Sequence, residues 1–505
     1  MSDATPSTPT YDALEKHWQR LHRLGHLGAI ADWDRSSLMP PAGNEARAAA
    51  LAELETLLHR LRTEPTLSES LAGAEREPLA DAGRANLREM RRQWRSANAL
   101  PEALVEKRSL ASARCEHAWR TQRPANDWAG FAANFEPLLA LVRESAERLS
   151  QDQGVAPYDA LIDQFEPGMT TERIDALFGA LQTWLPEAVR RIVDRQAAEP
   201  APVDPVGPFP IPAQRALGRA AMQALGFDFA AGRLDESAHP FCGGVPEDVR
   251  LTTRYRESDL LQGLFGTIHE TGHARYEQML PRETLGQPVS LARSMAVHES
   301  QSLSFEMQLA RSRAFCSVLA PLLVAQFGAQ PAFEPDNLAR LVTRVRPGKI
   351  RTEADEATYP LHVILRYGLE KRLVAGELAV GDIPAAWDEA MQRLLGIDTR
   401  GDHADGALQD VHWPIGLVGY FPCYTLGALY AAQWFATIRR ATPELDARVA
   451  AGDASPVFDW LEANVWRQGS RWTTEELVQR ASGGPLDPTH FRRHIDARYL
   501  GSIRP

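Results

Sequence analysis

The stretch Leu260-Leu261-Gln262-Gly263-Leu264-Phe265-Gly266-Thr267-Ile268-His269-Glu270-Thr271-Gly272-His273 carries the decisive pattern. Leu260, Leu261, Leu264, Phe265 and Ile268 recur at helical spacing, so one helix runs from an apolar stripe straight into an H-E-x-x-H sequence. Histidines four apart lie on one helix face, where their rings can meet at one point. Glu270 is turned about 100° from His269, placed to reach a water on a metal rather than the metal itself. The polar motif therefore falls where a buried helix face meets a cleft.

The same period extends outward. Leu14, Trp18, Leu21 and Leu24 are spaced as one helix face, and Phe131, Phe135, Leu138, Val142 and Leu149 as another. Ile174, Leu177, Phe178, Leu181 and Leu185 form a third, with Thr170 and Thr171 as candidate caps. Alternating strand patterns are scarce, so the expected class is mainly α. The most strand-like piece is Val249–Tyr255, short and with charges on alternate positions, which suits an edge strand. Prolines at 200, 202, 205, 208, 210 and 212 mark an extended surface connection.

At 505 residues the chain is long enough for about three domain-sized units or one large fold. The reading adopted is a tail over 1–10 followed by a single unit over 11–505. That unit has a helical part at 11–195, a proline-rich connection at 196–215 and a catalytic part at 216–505. Lys plus Arg number 55 and Asp plus Glu 66, a net charge of −11. Clustered basic excess, which nucleic acid or an anionic membrane requires, is missing, so neither is expected as a partner. The first ten residues have no basic start and no apolar run, and are expected to fray rather than to act as a signal peptide. Four scattered cysteines without a C-x-x-C pair point to a reducing compartment. Val411 to Ile438 contains no Asp, Glu, Lys or Arg. Its prolines, glycines, His412 and Gln433 suit a helix buried within protein better than one in lipid.

A catalytic zinc needs a third protein ligand and an open position. The motif continues Ala274-Arg275-Tyr276, so no third histidine stands at the short metzincin spacing. A carboxylate on a following helix is expected instead. Glu299, in His298-Glu299-Ser300, is the first choice, with His298 and Glu306 as substitutes. The chemistry is metal-assisted peptide hydrolysis: water is acidified on zinc, Glu270 takes its proton and later delivers it to the leaving amine.

Several further segments carry a resemblance. They are Phe165-Glu166-Pro167-Gly168-Met169, His239-Pro240-Phe241, Asp248-Val249-Arg250-Leu251-Thr252 and His298-Glu299-Ser300. Ile350-Arg351-Thr352-Glu353-Ala354-Asp355 and Gly406-Ala407-Leu408-Gln409-Asp410-Val411-His412-Trp413 complete the set. With the H-E-x-x-H motif, and in this order over about residues 11–500, they make the chain similar to the carboxypeptidase Taq family of metallocarboxypeptidases. The resemblance implies an elongated helical fold with a deep groove and a small sheet, like neurolysin and angiotensin-converting enzyme. It implies zinc on His269, His273 and Glu299, with cobalt as a possible substitute, and Glu270 as base. Removal of single C-terminal residues from peptides, with broad side-chain tolerance, by a cytoplasmic homodimer follows from the same likeness. An oligopeptidase or dipeptidyl carboxypeptidase of related type is the alternative.

A carboxypeptidase must also recognise a free carboxylate, which Arg does best through a forked, charge-assisted pair. Arg351 and Arg250 are the candidates, unless each is paired internally with Asp248, Glu353 or Asp355. The Arg250 strand is alternatively the edge to which substrate backbone adds. Glu353 and Asp355 are candidates for holding the zinc histidines, with ordinary helix-surface placement as the equal alternative. His412 and Tyr420 are candidate oxyanion donors. His239 has no assignable role.

Overall fold

The computed structural model describes residues 7–237 and 240–501. His239 and the first six residues of the expected tail lie outside that range, while Pro9 and Thr10 already belong to the first helix, Pro9–Ser37. Helices dominate, as the apolar period requires. Tyr11, Leu14, Trp18 and Leu21 bury one face of that first helix against Leu58, Leu67 and Leu71. Phe131, Phe135, Leu138, Val142 and Leu149, on the helix Trp128–Gln153, enter a separate and much larger core. The stripe begun at Ile174 is split. Thr170 caps the helix Thr171–Gln182, and Leu185 opens the next one, Leu185–Ala198. Pro186 stands in that helix's first turn, where its missing N–H costs nothing.

The uncharged stretch forms a helix only from Pro422 to Ala441; Val411–Phe421 turns, with Gly416 and Gly419 at φ of 68° and 95°. Leu426, Leu429, Trp434 and Ile438 are fully buried, so this helix forms the centre of the large core. No helix among the described residues is long and apolar enough to cross a membrane.

One three-stranded sheet stands beside the motif helix. Its strands are β1 (Gly232–Glu236), β2 (Cys242–Val245) and β3 (Asp248–Thr253). The order is β1-β3-β2, with β1 parallel and β2 antiparallel to β3. The edge-strand expectation is therefore corrected: β3 is central. Its alternation arises because Val249, Leu251 and Thr253 pack inward while its other face carries an internal pair. Arg250 Nε and Nη2 donate to Asp248 Oδ1 and Oδ2, each at 2.9 Å, and the guanidinium rests 4.3 Å from the Trp33 ring centre.

Candidate active site

The motif lies on the helix Leu260–Gln278, whose first turn is capped by the Asp259 side chain at Gln262 N. Leu264 and Ile268 anchor it in the large core. Gly272 has no side chain for a packing reason: a Cβ there would approach Gln301 O to 2.4 Å. This close approach draws in the next helix, Met295–Leu303, which carries Glu299. Phe165-Glu166-Pro167, left without a role in the sequence, fixes the start of that second helix. Glu166 Oε2 accepts from the Ser294 hydroxyl and from Ala296 N, and Phe165 O accepts from Met295 N at 2.9 Å.

One donor atom each from His269, His273 and Glu299 lies within 4.8 Å of the others. His273 Nε2 is 3.6 Å from Glu299 Oε2. Both imidazoles are held by their other nitrogen. His269 Nδ1 donates to Glu306 Oε2 at 2.9 Å. His273 Nδ1 faces His298 O at 3.1 Å and His298 Nδ1 at 2.7 Å, and His298 Nε2 donates to Glu277 Oε1 at 2.7 Å. The tautomer that satisfies these contacts leaves Nε2 of both rings bare and directed by its Nδ1 partner. Glu306 sits in a π-helical turn, Ser304–Ala310, and its other oxygen accepts from Arg311 Nη2 at 2.7 Å. Of the two readings open for Glu353 and Asp355, holding the histidines or ordinary placement, the structure shows the second: neither bonds a histidine, and Glu353 is exposed. Asp355 caps the helix Tyr359–Val374 through Ala357 N and Thr358 N.

Charge in the site is unbalanced in a way that suits a cation. Glu270, Glu299 and Glu306 are all buried or nearly so around His269. Burial pushes the Glu270 carboxyl up to about 7 and raises that of Glu299. Burial opposes protonation of His269, but its bond to Glu306 and the surrounding carboxylates outweigh this and lift it to about 9. Burial and two neighbouring imidazoles drive His273 well below its ordinary value. Two bare imidazole nitrogens and a buried carboxylate make a group that could hold a metal ion.

Around Glu299 stands an aromatic and cationic group. Tyr359 Oη donates to Glu299 Oε1 at 3.4 Å. His412 Nε2 lies 2.9 Å from Tyr424 Oη, and the Arg351 guanidinium is 4.6 Å from the Tyr424 ring centre. Tyr420 packs against both His412 and Tyr424. Arg351 Nε and Nη2 both donate to Asp410 Oδ1, and Gln409 Oε1 accepts from Arg351 N at 2.8 Å. Glu299 feels the charge of Arg351, whereas Arg250 is engaged by Asp248 on the sheet. Thus His269, His273, Glu299, Glu270, Arg351, His412 and Tyr420 come together, and Arg250 stands apart on the sheet. Sequence reasoning missed Tyr359 and Tyr424, and considered Glu306 only as a ligand. The i, i+4 spacing of Tyr420 and Tyr424 was the one available signal for the second tyrosine.

A model of the carboxypeptidase Taq (M32) metallopeptidase family matches residues 13–499. The chain belongs to that family. Thermostable carboxypeptidase 1 of Thermus thermophilus is 39% identical over 98% of this chain and 99% of its own. Carboxypeptidase 1 of Bacillus subtilis is 33% identical over 97% and 98%. The solved structure of Trypanosoma cruzi metallocarboxypeptidase 1 superposes with a TM-score of 0.96 at 45% identity, covering 98% of this chain and all of that one. This M32 chain is accordingly a metallocarboxypeptidase, a peptide hydrolase of mainly helical fold that works with a divalent metal.

Proposed function

We propose that this M32 enzyme releases single amino acids from the C-termini of peptides, with broad side-chain tolerance, using zinc on His269, His273 and Glu299. Cobalt is the expected substitute, and the working form is a cytoplasmic homodimer built from one unit over 11–505. The observation that carries the catalytic part is the convergence of those three donors within 4.8 Å, beside Glu270 and in the field of Arg351.

A divalent ion held by these donors supplies Lewis acidity and lowers the pKa of a water to about 7. The chain's own groups do the rest. Glu270 accepts the proton from the attacking water and passes it to the leaving amine. Its burial makes it a stronger base than a surface carboxylate. Arg351 receives the substrate carboxylate. Two of its nitrogens are committed to Asp410, and among the described residues no hydrogen bond occupies Nη1. Tyr420 donates to the developing oxyanion: its hydroxyl has no partner among the described residues, whereas Tyr359 is engaged by Glu299 and Tyr424 by His412. His412 acts by orienting Tyr424. Because β3 is central, any addition of substrate backbone falls to the outer edge of β2, whose Cys242 feels the charge of Glu270.

The test is mass spectrometry of products from a mixed pool of N-acetylated peptides, alongside metal analysis of the purified protein. Stepwise loss of single C-terminal residues, abolished by a chelator and restored by zinc, is expected. Release of dipeptides or internal fragments instead would overturn the reading.

A further inference from the structure

Away from the metal site, a cavity of about 1340 Å³ opens between the helix Arg313–Phe327, the C-terminal end of the central helix and the segment His490–Tyr499. Nine arginines and three acidic residues line it. Five of the arginines are matched. Arg313 pairs with Asp336, Arg439 with Asp446 and Arg195 with Glu199. Arg311 pairs with Glu306 and Arg498 with Glu356. The remaining four, Arg340, Arg344, Arg440 and Arg493, have no carboxylate at ion-pair distance among the described residues.

Four guanidinium groups without a carboxylate at ion-pair distance among the described residues, only Arg493 of them feeling a nearby carboxylate, that of Asp487, are unexpected around one concavity in a chain of net charge −11. Isolated surface arginines need no explanation, but like charges gathered around one recess repel one another and raise a positive potential there. Ala314, Ala339, Ala432 and Ala436 leave the walls between them low, so the long side chains can reach a common occupant. Guanidinium forks match phosphate oxygens two at a time, and an excess of about four positive charges matches a short phosphate chain rather than one monoanion.

We propose that this cavity binds a compact polyphosphate, with tripolyphosphate as its simplest representative. The site is separate from the peptide-cleaving centre, and the two share a wall through Arg311, which lines the cavity and donates to the carboxylate that holds His269.

The experiment is isothermal titration of the full-length, metal-loaded protein with tripolyphosphate, beside Arg340→Ala/Arg493→Ala and Arg344→Gln/Arg440→Gln. Saturable one-site binding by wild type is expected, weakened about 100-fold in each double variant, from about tenfold per lost charged contact. Arg190→Ala, which removes an exposed arginine paired with Glu187 elsewhere, should bind as wild type does. All four substituted side chains are exposed or half-exposed, and circular dichroism checks that the variants are folded. No saturable binding by wild type, or identical titrations for wild type and both double variants, as chelation of the metal alone would give, overturns the proposal. So does equal binding of the tricarboxylate tricarballylate, which would make the recess a general anion sink.

Discussion

Gly427 faces Glu299 so closely that a Cβ on it would lie 2.8 Å from both the Cβ and the Cγ of the carboxylate side chain. The buried central helix and the Glu299 helix meet at this point, and the absent side chain is what lets Glu299 stand with His269 and His273. Gly427→Ala should therefore displace Glu299, the proposed third metal donor, without removing it. Metal affinity, measured by competition with a chelating dye, is expected to fall roughly 10–100-fold, as when other groups that orient ligands are disturbed. Gly368→Ala, where a Cβ meets nothing within 4 Å, should leave affinity unchanged. Equal affinities for the two variants would show that Glu299 does not depend on this contact.

Glu270 and Glu306 are both carboxylates at the edge of the donor set, and their roles should separate cleanly. Glu270→Gln should keep the metal and lose on the order of 10²–10⁴ in kcat, because in the proposed roles it removes the base and no ligand. Glu306→Gln should retain the base but weaken metal binding about 10–100-fold, since it loosens His269 at Nδ1. Metal content and kcat measured together on both variants decide this. Metal loss in Glu270→Gln as severe as in His269→Ala would reverse the assignment.

Glu166 gives a prediction in pH. Burial outweighs its hydrogen bonds to Ser294 and Ala296 and raises its pKa from 4.5 to about 7. The folded state therefore binds the proton more tightly than the unfolded state. Its contribution is fully present below about pH 4.5 and is lost as pH rises through about 7. Glu166→Gln keeps an acceptor for Ser294 but cannot ionise. Between pH 5 and 8 the chelator-treated variant should lose less stability than wild type, by on the order of 1–3 kcal/mol in denaturant unfolding. Parallel curves for the two proteins would place the titration elsewhere.

The distance between sequence and structure has a physical pattern. Helical stripes and the His269–His273 pair were legible because they are local: a period of 3.6 fixes which residues share a face. The β3 reading failed at the sheet level, because a central strand with one polar face alternates just as an edge strand does. The contact of Glu306 with His269 was not legible because Ser304–Ala310 winds as a π-turn, so its bearing relative to Glu299 differs from that in a continuous α-helix. Tyr359 and Tyr424 were hidden because tyrosine in an apolar helix reads as core. The Arg351–Asp410 pair joins residues 59 apart, and no local pattern announces such a contact.

That last pair sets up the test of what makes the enzyme act at a C-terminus. Removing Arg351 does not strand Asp410, because Arg366 donates Nε to Asp410 Oδ2 at 2.6 Å and remains in place. The usual penalty of an orphaned buried charge is thereby reduced, and Arg351→Ala reports mainly on the lost cation. A charge-assisted contact with the substrate carboxylate contributes roughly 1.5–3 kcal/mol, or about 10–200-fold in kcat/KM. Wild type should cleave a free-acid peptide far better than its C-terminal amide. Arg351→Ala should lose most activity on the acid and little of the residual activity on the amide, so that the acid-to-amide ratio collapses. Arg250 is engaged by Asp248 and Trp33 on the central strand. Arg250→Ala should lower stability while leaving that ratio intact. A preserved ratio in Arg351→Ala with a collapsed one in Arg250→Ala would move carboxylate recognition to the sheet.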